Sequence, residues 1–315
     1  MVGGSRRSAI LRIASITKRS TIFSHKEAQK HKTKLKILIT GAKGLVGQAL
    51  GEHCSASGDE VFGYDHEALD IGNAEVVESV IAARRPEAVI NCAAWTDVDG
   101  CETNPEKAER VNALGPENLA NATRDAGALL ITISTDYVFD GAKEGFYTQR
   151  DQPQPISVYG QYKLEGERRA QLANARTIVV RSGYIFGPGG KNFLSNIVTW
   201  AKNGKKLKAI RDYWGTPTYG VDLAVRLREL AALDLPGIYH VVSAGDGASF
   251  ETFSVEALRL AGLNSDVLEV IDGDTLGRPA PRPRNSRLKC LLSDAVGLPP
   301  LPHWEDGLAR FINRE

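Results

Sequence analysis

The chain has 315 residues, enough for about two compact units at ~150 residues each. Its hydrophobic fraction of 42% and charged fraction of 24% exclude disorder, collagen and coiled coil. No apolar run approaches the ~18 residues of a spanning helix, so no membrane partner is expected. The formal net charge of +1 hides an asymmetry. Residues 1–34 hold nine Lys/Arg and one acid, Glu27, which leaves 30 basic and 37 acidic residues beyond them, a net of −7. A mildly acidic body does not suit a nucleic-acid partner. Cys54, Cys92, Cys101 and Cys290 show neither framework spacing nor a CxxC pair, and six scattered histidines add no zinc pattern. Free thiols in a reducing compartment, the cytoplasm, are expected, and no metal.

Residues 1–34 lack the apolar core of a secretory signal and are expected to be a basic, disordered extension. A chain opening at Leu35 would enter directly into the strand Lys36 to Thr40. A helix over Leu45 to Ser57 and a strand over Glu60 to Tyr64 follow. Helical periodicity then covers Asn73 to Ala83, before a strand over Ala88 to Cys92. Pro105 and Pro116 each mark a first helical position. Further strands are expected over Ala128 to Ser134 and Thr177 to Arg181, with a helix over Val158 to Ala173 between them. Strand–helix alternation with short β-branched strands predicts an α/β fold, a Rossmann-like doubly wound parallel sheet. Beyond Gly183 the pattern loosens into a smaller C-terminal lobe over 183–315. A returning segment near 220–243 rejoins the main unit, 35–182. Three prolines and three arginines keep Arg278 to Arg284 out of any regular element.

Gly41-Ala-Lys-Gly44-Leu-Val-Gly47 sits between a predicted strand and a predicted helix. Glycines there let the backbone turn tightly and approach a pyrophosphate, whose charge rests on the helix N-terminus. An acid is expected ~20 residues on to hold the adenosine ribose, and Asp65 ends the second strand. Together they point to a dinucleotide site.

The GxxGxxG spacing resembles the extended short-chain dehydrogenase/reductase superfamily, which implies a later Tyr-x-x-x-Lys pair. Tyr159-Gly-Gln-Tyr-Lys163 supplies it. Residues i and i+4 share a helix face, and a lysine cation there is expected to draw the tyrosine pKa toward neutrality. Thr135 matches the superfamily position that hydrogen-bonds the reacting carbonyl. Three longer segments are similar to the dTDP-4-dehydrorhamnose reductases: Ser134-Thr135-Asp136-Tyr137-Val138-Phe139-Asp140-Gly141, Asn91 to Asp99, and Trp214-Gly215-Thr216-Pro217-Thr218. Asn112-Ala113, Arg287-Leu288 and Trp304 extend the resemblance from about residue 35 to the end.

That resemblance implies reduction of the 4-keto group of dTDP-4-dehydro-L-rhamnose, with hydride delivered from NADPH, or NADH, to C4. By it, Tyr159 gives the proton, Lys163 tunes Tyr159 and holds the nicotinamide ribose, and Thr135 polarises the carbonyl. Gly44, Leu45 and Val46 face the pyrophosphate, while Asp65, Asp70, Ile71 and the run Ala93, Ala94 to Thr96 line the rest of the cofactor. Asp136 contacts the sugar. The chain departs from the family at three places. Tyr184 stands where many members have Trp, Tyr213 replaces a Gln, and Ala49 replaces a Glu of a magnesium-linked dimer. A homodimer without that metal is the form left open. Asp65 alone favours NADH, the family mostly uses NADPH, and Lys43 in the glycine turn can offset the repulsion. A 4-epimerase, or a non-catalytic subunit resembling the methionine adenosyltransferase β subunit, are the competing readings. A 4,6-dehydratase lacks its elimination acid here, since Tyr137 takes that place.

Overall fold

A computed structural model of the protein describes residues 34–314. The basic extension, up to residue 33, lies outside the described residues. Apolar residues on successive strands alternate between two faces, and the strand order follows from covering both. The strands are β1 (Lys36–Thr40), β2 (Glu60–Tyr64), β3 (Ala88–Asn91), β4 (Leu129–Thr135), β5 (Thr177–Ser182) and an edge strand Gly237–His240. They form one parallel sheet in the order β2-β1-β3-β4-β5-edge.

Ile37, Ile39, Ile90 and Ile131 face one side, against α1 (Leu45–Ala56) and a later helix, Gly220–Leu233, through Leu50, Leu223 and Leu227. Leu38, Val89 and Leu130 face the other. There they meet Val77 and Ile81 of α2 (Ala74–Arg84), Leu119 of the helix Gly115–Asp125 and Ala170 of the helix Val158–Ala173. Burial on both faces explains why these strands are continuous apolar runs rather than half-polar ones. A separate core, built on Phe186, Ile197, Phe253, Trp304 and Phe311, joins the helices Phe193–Lys202, Phe250–Leu260 and Trp304–Ile312.

Most expected elements form within one or two residues of their sequence boundaries. β4 and β5 each run one residue further, which puts Thr135 and Ser182 at adjacent strand ends. The helix start expected at Pro116 does not occur. After α3 (Val98–Thr103), α4 (Pro105–Glu109) runs through a π turn, Arg110–Leu114, straight into α5 (Gly115–Asp125). The wide turn carries Asn112, whose Oδ1 accepts from Trp95 N and whose Nδ2 donates to Trp95 O, both at 3.0 Å. Those bonds fix the backbone that follows β3. The run Arg278 to Arg284 forms no helix or strand.

The helix Val158–Ala173, α6, is docked by charge as well as by apolar packing. Arg181 on β5 grips Glu167 with Nε–Oε1 at 2.9 Å and Nη2–Oε2 at 2.6 Å, and the Ser134 hydroxyl of β4 donates to the same carboxylate. Glu167 and Arg181 side chains are only 2% and 4% exposed. Removing one member of such a pair strands the other without solvent. Glu167→Ala is therefore expected to destabilise the fold by about 3–5 kcal/mol in urea denaturation, with Glu167→Gln costing less.

Candidate active site

Adjacent strands β1 and β3 send their connections to opposite faces of the sheet, and the crevice where they part is the standard place for a ligand. A cavity of about 760 Å³ opens there. Its floor is the turn after β1. Gly41 packs against the chain after β3, a Cβ there standing 2.7 Å from Ala93 N. At Gly47 a Cβ would stand 2.8 Å from Ala42 Cα and closer still to the Gly41 carbonyl, so only glycine closes this turn. Gly44 caps α1 with no side-chain acceptor, and the first turn holds no acid. The free N–H groups and the helix dipole are left for an anion. These features fit the pyrophosphate of a dinucleotide.

Lys43, Gly44, Leu45, Val46 and Gly47 line the cavity from one side, with Ala94 and Thr96 beside them. Thr135, Asp136, Tyr159, Lys163 and Tyr184 line it from the other. Tyr159 and Lys163 project from one face of α6 as their spacing required, and both are buried. Asp65 sits at the end of β2. Its Oδ1 accepts from Ala68 N at 2.9 Å and its carboxylate is ion-paired to Lys43, which holds it below the usual carboxylate range.

Asp70 and Ile71 are not among the lining residues. Asp70 pairs with Arg110 at 2.6 Å and accepts from Gly72 N, while Ile71 is buried against Gly115. Their role here is to hold the π turn against the segment after β2. Gly41 and Ala93 likewise lie beneath the surface they shape, outside the lining set.

The phenol of Tyr159, expected from the spacing to fall toward neutrality, is instead pushed up. Burial is the largest cause, against a smaller opposing effect of Thr135. The Lys163 ammonium donates to Ile133 O at 2.7 Å, and burial lowers its pKa to about 8. Desolvation outweighs the opposing pull of the Glu167 carboxylate on this cation.

Tyr184 adopts a left-handed backbone with φ +48, uncommon for a bulky residue, and its ring packs 4.7 Å from Phe250. Several lining residues carried no sequence signal of their own. Ser182 has a buried hydroxyl with no hydrogen-bond partner among the described residues. The loop Gly189 to Leu194 and Phe250 close the far wall; there the glycine cluster 187–190 was the one available hint. Among the described residues no His, Cys, Asp and Glu group is arranged to hold a metal ion, and Ala49 on α1 is packed on the core. No helix among them is long and apolar enough to cross a membrane.

A doubly wound parallel sheet with a glycine turn at its switch point defines a Rossmann-type oxidoreductase of the short-chain dehydrogenase/reductase kind. The family described as the RmlD substrate binding domain matches residues 35–315. The chain is 37% identical over 277 residues to the dTDP-4-dehydrorhamnose reductase of Streptomyces griseus, covering 86% of this chain and 91% of that one. It superimposes on the dTDP-4-dehydrorhamnose reductase of Bacillus anthracis in complex with NADP with a TM-score of 0.86 and 32% identity, covering 90% of this chain and all of that one. A Clostridium acetobutylicum relative of the same name gives 0.84 and 35%, over 89% of this chain and 99% of that one. This chain belongs to the RmlD family, that of the dTDP-4-dehydrorhamnose reductases.

Two glycines of α1 separate turn geometry from helix propensity. Gly47→Ala is expected to weaken dinucleotide binding more than about tenfold in a fluorescence titration, because the turn must open. Gly51→Ala, with nothing within 4 Å of the added methyl, is expected to leave binding unchanged and to raise stability by about 0.8 kcal/mol.

Proposed function

We propose that the protein reduces the 4-keto group of dTDP-4-dehydro-L-rhamnose to dTDP-L-rhamnose, using NADPH in preference to NADH. The observation that carries this reading is the convergence of Thr135, Tyr159 and Lys163 on the cavity floored by the glycine turn. The nicotinamide supplies the hydride. Everything else falls to side chains of this chain. The turn Gly44 to Gly47 and the N-terminus of α1 hold the pyrophosphate, and Asp65 holds the adenosine ribose. Residues 35–182 with the returning segment near 220–243 form the cofactor-binding half, and 183–315 mainly the sugar-nucleotide half.

Reduction needs a proton at O4 as charge develops there. A tyrosine whose pKa is pushed up keeps its proton at neutral pH and yields it only to a stronger base, the nascent alkoxide. Thr135 donates to the same oxygen once its hydroxyl turns from Asp136 Oδ1, which it bonds at 3.0 Å. Lys163 keeps two of its three N–H groups after bonding Ile133 O, and these serve the ribose hydroxyls. Asp136 and Tyr184 form the sugar side. The Lys43–Asp65 pair sets cofactor choice: the lysine neutralises the carboxylate and adds a donor where a 2′-phosphate would lie. The homologues with this name support the substrate assignment. The partner of the protein is thus a small sugar nucleotide, and its setting the cytoplasm.

The proposal is tested by mixing protein, enzymatically generated dTDP-4-dehydrorhamnose and NADPH or NADH, and following the nicotinamide absorbance. Oxidation with dTDP-rhamnose as product is the expected result. No oxidation, with cofactor retained through purification, would favour a 4-epimerase instead. Tyr159→Phe is expected to lower kcat at least about a hundredfold while NADPH affinity stays within about twofold. Lys43→Ala is expected to lower kcat/KM for NADPH about tenfold and to leave that for NADH nearly unchanged. Equal losses with both cofactors would remove Lys43 as the selecting group.

A further inference from the structure

Behind Thr135 lies a carboxylate that is ion-paired to no cation among the described residues. Asp136 is 3% exposed, and its seat exists because residue 183 is glycine: a Cβ there would stand 2.7 Å from Oδ1 and closer to Oδ2 and Cγ. Its Oδ1 takes the Thr135 hydroxyl at 3.0 Å. Its Oδ2 takes the hydroxyl of Ser286, a residue 150 positions away that is itself 1% exposed. Ser286 is pinned from both sides of its segment. Its N donates to Trp214 O at 2.8 Å, Trp214 N donates to Arg284 O, and Tyr147 N donates to Arg287 O, both at 2.7 Å. The serine backbone therefore has little freedom to follow the carboxylate, and its hydroxyl, also 3.4 Å from Trp214 O, makes its shorter contact with Oδ2.

Counting donors and lone pairs shows what this fixes. A threonine hydroxyl has one hydrogen and two lone pairs. One lone pair of Thr135 is already filled by Tyr137 N at 3.1 Å. When Asp136 is ionised, the hydrogen of Thr135 goes to Oδ1 and is lost to any substrate carbonyl. When Asp136 is protonated on Oδ1, the acid donates into the second lone pair. Both lone pairs are then filled and the hydrogen must point away, toward Tyr159 and the cavity. A proton on Oδ2 would leave Oδ1 a bare acceptor and keep the Thr135 hydrogen turned inward.

We propose that Ser286 is a positioning residue of the reduction: by donating to Oδ2 of Asp136 it makes Oδ1 the oxygen that carries the proton, which turns the Thr135 hydroxyl toward the sugar carbonyl. The inference rests on the reductase reading given above. Burial favours the neutral acid, pushing Asp136 up to about 6 against the opposing bonds from Ser286 and Thr135. The titratable groups facing it are Tyr137 on its own segment, Tyr159 of α6 and Tyr184 after β5, all three phenols pushed up and uncharged through this range. Lys163 of α6, near 8, gives a separate step. The active form is the protonated one, so kcat/KM falls as pH rises through the Asp136 ionisation.

The test is the pH dependence of kcat and kcat/KM for four proteins: wild type, Ser286→Ala, Ser286→Thr and Asp136→Asn. Ser286→Ala is expected to lose about tenfold in kcat, the worth of one hydrogen bond aimed at the reacting centre, with KM within about twofold. Its falling limb moves to higher pH, because a bond favouring the ionised acid is gone. Ser286→Thr keeps the hydroxyl and restores both the rate and the limb. Asp136→Asn, which cannot ionise, flattens the profile through this region whatever its rate. A Ser286→Ala profile that superimposes on wild type after scaling overturns the inference, because loss of structure alone lowers rates without moving an ionisation. If Ser286→Ala does not fold, an Asp136→Asn profile that keeps the limb overturns it. Wild-type turnover with an unmoved profile removes this inference alone, whereas wild type without turnover removes the reductase reading and this inference with it.

Discussion

The position of α6 against the sheet is the constraint on which the rest of the site depends, and a buried charge pair sets it. Tyr159, Lys163 and Glu167 follow at i, i+4 and i+8 along one helix face. Fixing Glu167 against Arg181 and Ser134 therefore fixes the two residues above it. Apolar packing alone would tolerate a slide of the helix along the strands, since leucine and alanine contacts are not directional. A bidentate guanidinium–carboxylate contact, fully desolvated, is directional and does not. In this protein the buried pair contributes placement.

A second constraint comes from the sheet. Where β1 and β3 part, the chain leaves each strand toward opposite faces and exposes main-chain N–H groups at the head of α1. The same edge receives the ends of β4 and β5, so Thr135 and Ser182 arrive next to one another. The uncapped head of α1 and the Thr135 hydroxyl thus share one rim of the sheet. The far wall comes from outside it, through Tyr184, the loop 189–194 and Phe250. The two sides of the cavity thus come from separate parts of the sequence, and the three family departures fall differently with respect to them. Tyr184 lies in the wall, Tyr213 packs outside it against Gly273, and Ala49 packs on the core from α1.

What the sequence made legible was local. Strand periods, the glycine turn, Pro105 and the Tyr159–Lys163 spacing each depend on a few neighbouring residues, and each formed where it was expected. The start at Pro116 failed because a π turn, driven by Asn112 clamping Trp95, carried the helix through. Asp70 pairs with Arg110 and Ile71 packs on Gly115, and neither is among the residues lining the cavity. The Tyr159 phenol departs from its expected direction for a different reason: spacing gives the face, but burial pushes the phenol up and the Lys163 ammonium down. Ser286, Gly183 and the Glu167–Arg181 pair were illegible, because each acts on a partner brought close only by folding, Ser286 across 150 residues.

Net reduction at this site requires stoichiometric hydride transfer to C4 of a sugar nucleotide. It is tested most directly by supplying NADPH deuterated at its transferable position together with dTDP-4-dehydrorhamnose, and locating the label by NMR and mass spectrometry. The account predicts one equivalent of cofactor oxidised per sugar and deuterium on C4 of the product. Deuterium that stays on the cofactor while the sugar changes only its configuration, or does not change, would contradict it.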